Sequence, residues 1–202
     1  MIVPFSLSNG ARGELDSNQY GTPQAFFDVC SRVFGSFDVD LCASDEPTMH
    51  KCDRYFTAER SCLRVAEWTT AWCNPPYSEG SIGPIIEHVY RVALAGKGST
   101  LCLFPIKKSE QVWFQNYVAN AATMILPVEG RIPFLRHGMP TKAPNHASVL
   151  VWYRSGMVLG SDGFVGPICH GWNQVVGATD DVVELWKELG FFGCKSKTGE
   201  KP

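Results

Sequence analysis

The chain predicts an α/β fold, a three-layer sandwich around a mostly parallel sheet. Three observations carry this expectation. Segments of strand character alternate with segments of helical period, the pattern of helices laid on a sheet. Residues 100–105 (TLCLFP) form a near-continuous apolar run, as strands buried on both faces do. Residues 68–73 (WTTAWC) read as a short strand entering Asn74-Pro75-Pro76-Tyr77, with a helical pattern beyond. Strand, rigid loop and helix is the place where open α/β sheets bind ligands.

The elements follow in order. Thr22 is a predicted N-cap and Pro23 a favoured first helical residue. They open a helix over about 23–34, where Phe26, Phe27, Cys30, Val33 and Phe34 recur at helical spacing. Residues 37–44 (FDVDLCAS) alternate apolar and acidic, then end in small residues. This predicts a strand over about 36–41, with Asp40 near its carboxyl end and a tight turn after it. Standing alone, Asp40 would be a solvated acid at a strand end. Residues 42–67 are expected to be irregular or to hold short elements. Pro84 starts a helix to about residue 95, with Ile85, Ile86, Val89, Val92 and Ala93 as its apolar set and Gly96 and Gly98 ending it. Ser109 is expected to cap a helix carrying Val112, Trp113 and Tyr117. Strands are predicted at 123–127, 131–134 and 147–153, the last two joined by a long loop. A final helix over about 180–189 opens with Asp180 and Asp181 and is followed by Gly190, which suits the helix dipole and C-terminal capping. The tail 194–202 is expected to be disordered.

Composition sets the bounds. A chain of 202 residues is expected to form one domain over 1–202, with its core at about 20–190. It is 45% hydrophobic and 19% charged, as soluble globular proteins are. No apolar run is long enough to span a bilayer, and the N-terminus lacks the parts of a signal peptide, so a cytoplasmic location is expected. The net charge of −2 does not advertise nucleic-acid binding, although a local basic stripe suffices for it. Eight cysteines include no Cys-x-x-Cys pair. Cys42, Cys52 and Cys62 stand ten apart with His50 nearby, which leaves a zinc site open as a minor reading. Cys30, Cys73 and Cys102 sit in apolar patterns and read as core.

The tetrapeptide at 74–77 is the most informative feature. Two prolines fix their own φ angles, donate no backbone hydrogen bonds and push the preceding residue out of the helical region. The Asn74 amide oxygen and the Pro75 carbonyl then form a small acceptor-rich site, with Tyr77 as an aromatic wall. Such a site suits a planar amine, for instance the exocyclic amine of a nucleobase. The plain alternative is a Pro-Pro turn.

The wider context resembles a known family. YGTPQ (20–24), DVDLCAS (38–44), the Tyr55-Phe56 pair, Leu63 and Trp68, NPPYS (74–78), LFPIKKSEQVWF (103–114) and GRIPF (130–134) occur in an order and spacing similar to the phage-type DNA adenine methyltransferases, the Dam family of phages and prophages. The resemblance spans roughly residues 20–153. It implies a Rossmann-like methyltransferase fold, S-adenosylmethionine as methyl donor and DNA as partner. Asn74, Pro75, Pro76 and Tyr77 would form the catalytic loop. Tyr20, Thr22 and Pro23 would lie against the methionine end of the donor, and Asp40, Ala43 and Ser44 would line its pocket. An amine whose lone pair is delocalised into a ring needs no strong base. It needs two acceptors that hold both N–H bonds, a stacking wall and a donor in line. The base must be flipped out of a duplex or already unpaired. The chain departs from the wider methyltransferase pattern in one place: DLCAS stands where a Gly-x-Gly loop would follow the first strand.

Recognition of DNA would have to come from loops. Arg131, Arg136, His137, Lys142 and His146 cluster in a Gly/Pro-rich stretch, and Lys107 and Lys108 follow the strand ending at Pro105. Arginine and lysine there could contact phosphates, and arginine could read guanine. An ordinary solvated loop is the plain alternative. His170 and Trp172, in a glycine-rich segment, read as a packed turn, and His88 as a structural residue of an amphipathic helix. Rival functions are methylation of the cytosine amine, of a glutamine side chain or of an RNA base, a non-catalytic DNA-binding protein of the same fold, and a zinc-binding module.

Overall fold

The computed structural model describes residues 20–156 apart from 47–48, 79, 120, 129 and 143–145. The predicted helix at 180–189, the tail, His170 and Trp172, and the N-terminal segment lie outside the described residues.

Helix α1 covers Gln24–Phe34 and is followed by the two-residue strand β1, Val39–Asp40. A single 3-10 turn, Cys62–Arg64, interrupts the irregular stretch before β2, Thr70–Cys73. Helix α2, Ile82–Leu94, leads to β3, Ser99–Pro105. A 3-10 turn at Ile106–Lys108, a short α3 at Val112–Phe114 and a π-helical stretch at Gln115–Ala119 come next. Strands β4 (Met124–Pro127), β5 (Leu135–Arg136), β6 (Met139–Pro140) and β7 (Ser148–Tyr153) complete the described elements.

Among the described residues the main sheet has five strands in the order β1-β2-β3-β7-β4. β1 pairs with β2 and β2 with β3 in parallel, while β7 runs antiparallel to both β3 and β4. The sheet is therefore mixed, with β1, β2, β3 and β4 running one way and β7 the other. The cause is connectivity: β7 follows a hairpin and enters the sheet between β3 and β4 from the opposite end. In β2, β3 and β7, alternate residues go to opposite faces. Cys73, Cys102, Phe104, Val149, Val151 and Tyr153 pack in one cluster with Ile86 and Val89 of α2. Trp72, Leu101, Leu103 and Leu150 pack in the other with Phe27 and Cys30 of α1. Burying one such Leu or Phe stabilises the fold by roughly 1.5–3 kcal/mol.

Three local expectations are corrected. Helix α2 starts at Ile82, not Pro84. Proline is tolerated in a first helical turn, where its missing N–H would have no partner. Ser109 caps no helix: its N–H closes the turn onto Ile106 O at 3.0 Å, and the next helix starts after Gln111. Residues 131–134 form no strand. Pro133 removes a ladder donor, and Phe134 N–H bonds back to Ile132 O at 2.9 Å, a tight turn.

In their place a hairpin forms between β5 and β6. Its two central residues, His137 and Gly138, have φ of 49° and 72°. Two positive φ values are what a two-residue hairpin turn of right-handed strands requires, and glycine adopts one at no steric cost.

Candidate active site

Because β1, β2 and β3 are parallel, their carboxyl ends share one edge of the sheet. The 41–46 loop, the 74–77 loop and the turn at Ile106–Lys108 all leave from that edge. Topology alone brings these three predicted segments together.

Asn74 sits at the end of β2 and is only 8% exposed. Its Nδ2 donates to Tyr20 O at 3.0 Å and to Thr22 Oγ1 at 3.3 Å. A carbonyl can only accept, so these partners fix which end of the amide is nitrogen. The Oδ1 end therefore faces the other way and accepts from the Tyr77 hydroxyl at 2.7 Å. Thr22 is thus no N-cap. Pro23 occupies that position with no side-chain cap, and the buried Thr22 hydroxyl serves Asn74 instead. Pro75 is buried and Pro76 exposed.

Tyr77 is half-buried. Its ring meets Phe134 nearly edge-on at 6.0 Å between centroids and His146 likewise at 6.2 Å. Burial pushes its phenol well above the ordinary range, so the hydroxyl stays protonated and donates. Tyr20 lies tilted over Phe134 at 6.5 Å. Gly21 and Leu135 exchange both backbone hydrogen bonds at 2.8 Å, which pins the 20–22 segment to the hairpin. Segments far apart in sequence thus form one patch around Asn74. The sequence reading missed Phe134 as a wall of this patch. The available signal was a lone aromatic among the charges of the 131–146 stretch.

Asp40 is not a solvated acid; it is 2% exposed. Its two oxygens accept from Cys42 N and Lys51 N, each at 3.1 Å. Its own N–H and C=O bond to Arg54 O and Phe56 N, so the 54–56 segment runs beside β1. Burial raises its pKa to about 7, opposed by the two amide bonds and by the Lys51 charge. Its geometry makes Asp40 the clasp of the loop that carries Ala43 and Ser44. In that loop Ala43 N donates to Phe56 O at 2.8 Å and Ser44 Oγ accepts from Glu46 N at 3.3 Å. His50 stacks flat on Tyr55 at 4.4 Å, and its Nδ1 is buried without a hydrogen-bond partner.

Among the basic residues, Lys107, Arg131, Arg136, His137 and Lys142 are exposed, and Lys108 is half-exposed at the end of its turn. His146 is half-buried. Burial first, then the positive charges of Lys107 and Arg131, lower its pKa. His137 Nδ1 lies 3.6 Å from Glu46 Oε2, linking the hairpin turn to the loop after β1.

Among the described residues no group of three or more His, Cys, Asp or Glu is placed to hold a metal ion. Cys42 Sγ lies 3.7 Å from Cys73 Sγ, whereas Cys52 donates to Phe37 O at 3.5 Å. Cys62 is held far above the usual thiol range by its bond to Cys42 and by burial, and stays protonated. Among the described residues no helix is long and apolar enough to cross a membrane.

The family model for DNA N-6-adenine-methyltransferases (Dam) matches residues 12–158 of this chain. The chain belongs to the Dam family. It is a DNA adenine methyltransferase, an enzyme that methylates the N6 amine of adenine in DNA. One relative of this Dam protein is the DNA N-6-adenine-methyltransferase of Haemophilus phage HP1 (strain HP1c1). The two are 28% identical over 151 residues, covering 72% of this chain and 84% of the relative.

Proposed function

We propose that this Dam protein methylates an adenine held out of the DNA stack against Tyr77 and Phe134, with Asn74 and Pro75 as amine acceptors and S-adenosylmethionine as donor. The observation that carries the reading is the Asn74 amide. Two acceptors behind it turn its oxygen away from the Tyr20–Thr22 segment and toward Tyr77. An oxygen so fixed needs no reorganisation when an amine arrives, the condition for stabilising charge that develops in a transition state. The Tyr77 hydroxyl takes one of its lone pairs and leaves one for an amine N–H. The Pro75 carbonyl would take the second N–H. With both held, the amine nitrogen is drawn toward tetrahedral geometry and its lone pair is freed for attack.

The residues after β1 fit the donor. Asp40 clasps a loop of small side chains, and the buried His50 Nδ1 lacks a partner there, a polar atom available to a bound polar molecule. Ala43 and Ser44 would line this pocket, and Tyr20, Thr22 and Pro23 would close it on the side of Asn74. When bound, S-adenosylmethionine supplies an electrophilic methyl group. The sheet order, with helices against both faces, supports the Rossmann-like methyltransferase fold as a reading. DNA would lie across Lys107, Lys108, Arg131, Arg136, His137 and Lys142, whose cations would neutralise phosphates.

The test is transfer of label from methyl-labelled S-adenosylmethionine to unmethylated DNA, with the nucleosides separated by mass. The expected product is labelled N6-methyldeoxyadenosine. Label in methylcytidine would change the base, and donor binding with no label in DNA would overturn the assignment of the site.

A further inference from the structure

Among the described residues three buried side-chain polar atoms lack a hydrogen-bond partner, and two of them lie two residues apart: His146 Nδ1 and Ser148 Oγ. Buried polar atoms are almost always paired in a folded protein, so each orphan needs a reason. This pair stands beside the site just described. The His146 ring meets Tyr77 at 6.2 Å. Ser148, fully buried, opens β7 opposite Pro105, the last residue of β3. Two residues on, Leu150 belongs to the cluster that holds Phe134 and borders Tyr77. Side chains two apart on a strand share a face, so Ser148 points to the Phe134 side of the sheet. His146 therefore borders the patch around Asn74 directly, and Ser148 lies on the same face of the sheet as Phe134.

We propose that His146 and Ser148 read the target base, hydrogen-bonding a ring nitrogen that flanks the amine, N1 or N7. This rests on the proposed placement of the base against Tyr77 and Phe134. It moves His146 from the phosphate-contact role its sequence neighbours suggested to a base-reading one. The chemistry matches. A neutral imidazole offers one N–H donor, and a hydroxyl can donate as well, while both ring nitrogens beside the adenine amine are acceptors. Burial, then the charges of Lys107 and Arg131, push the imidazole toward its neutral form, opposed in part by the backbone of Ala147 and His146. Enzymes that act on an extruded base read its edge in this way. A site built to hydrogen-bond a base rejects one lacking the partner, because its own polar groups are then left buried and unpaired.

The test compares kcat/KM on oligonucleotides carrying adenine, 1-deazaadenine or 7-deazaadenine at the target position. Wild-type protein is expected to lose about tenfold or more on one analogue. In His146→Ala and Ser148→Ala that analogue should fall level with adenine, because the partner is already gone. Ser148→Ala should also raise Tm, since it removes an unpaired buried hydroxyl. If the wild type discriminates between the bases and both variants keep the full penalty, the assignment of His146 and Ser148 is overturned while the placement of the base stands. If wild-type protein does not distinguish either analogue from adenine, no ring nitrogen is read and the inference fails. A wild type that leaves adenine unmethylated refutes the placement itself.

Discussion

The Tyr77 hydroxyl donates to Asn74 Oδ1 across 2.7 Å, while the other end of the same amide faces Tyr20 O. Asn74 is thereby held from both sides by residues 3 and 54 positions away. The local contact depends on the Pro-Pro turn, and the distant one depends on the whole sheet edge.

Asn74→Ala removes the oriented acceptor and leaves the loop after β1 untouched. Turnover should fall by about a hundredfold or more, as for loss of one donor from an oxyanion site, while donor affinity changes little. Calorimetric titration of the donor, run beside single-turnover methylation, checks both. Near-normal turnover would remove Asn74 from the catalytic loop.

Tyr77→Phe and Tyr77→Ala separate the hydroxyl from the ring. Phenylalanine keeps the wall and frees a lone pair on Asn74 Oδ1, at a stability cost of about 0.5–1.5 kcal/mol for the missing hydrogen bond. Alanine also removes the stacking surface, worth roughly 1–3 kcal/mol per base. The expected order of kcat/KM is wild type, then Phe within about tenfold, then Ala far below. An alanine variant as active as the phenylalanine one would exclude stacking on Tyr77.

Arg131→Ala and Lys142→Ala should weaken DNA binding on every sequence. Each should also flatten the plot of log K against log salt by about 0.9 for each phosphate that is no longer neutralised. Fluorescence anisotropy at several salt concentrations measures the slope. An unchanged slope in both variants would place the DNA surface elsewhere.

Asp40 makes stability depend on pH in a stated direction. Its folded pKa, about 7, lies above the ordinary 3.8. The folded protein therefore holds the proton more tightly than the unfolded chain, and the carboxyl's contribution falls as pH rises through that window and levels off above it. Asp40→Asn lacks this dependence. Wild-type stability relative to the variant should decline between pH 4 and 7, by at least about 1 kcal/mol. Thermal melts across that range measure it. A relative stability that rises instead would mean the amides of Cys42 and Lys51 outweigh burial and hold the carboxylate ionised.

Gly98→Ala should destabilise the fold away from the site. A Cβ there would lie 2.5 Å from Trp68 Cδ1 and 2.8 Å from the Trp68 carbonyl oxygen. The indole cannot yield freely, because its N–H donates to Ser99 O and Thr100 Oγ1, each at 3.0 Å. Overpacking of this kind costs about 1–3 kcal/mol, read as a lower denaturant midpoint with methylation kinetics retained.

Much of the fold was legible because its signals are local. The apolar run at 100–105 and the helical spacing in α1 and α2 each depend on near neighbours in the chain. Where a residue's partner lies far away, the local signal misled. Thr22 carries every local mark of an N-cap, yet its hydroxyl serves Asn74. Asp40 carries every mark of a solvated acid, yet it is buried under a loop it clasps itself. Pro133 interrupted a strand that the hydrophobic pattern alone would have granted.

The sequence by itself determined the rigid 74–77 loop, the strand and helix around it, and the family. Proline restricts φ wherever it stands, and a periodic pattern needs no distant partner. Tertiary structure alone decided the reversed β7, the pairing of Gly21 with Leu135, the turn of the Asn74 amide and the place of His146 beside Tyr77. Each of these is a contact between distant segments. Its energy exists only after the sheet has set the distance and direction between the groups.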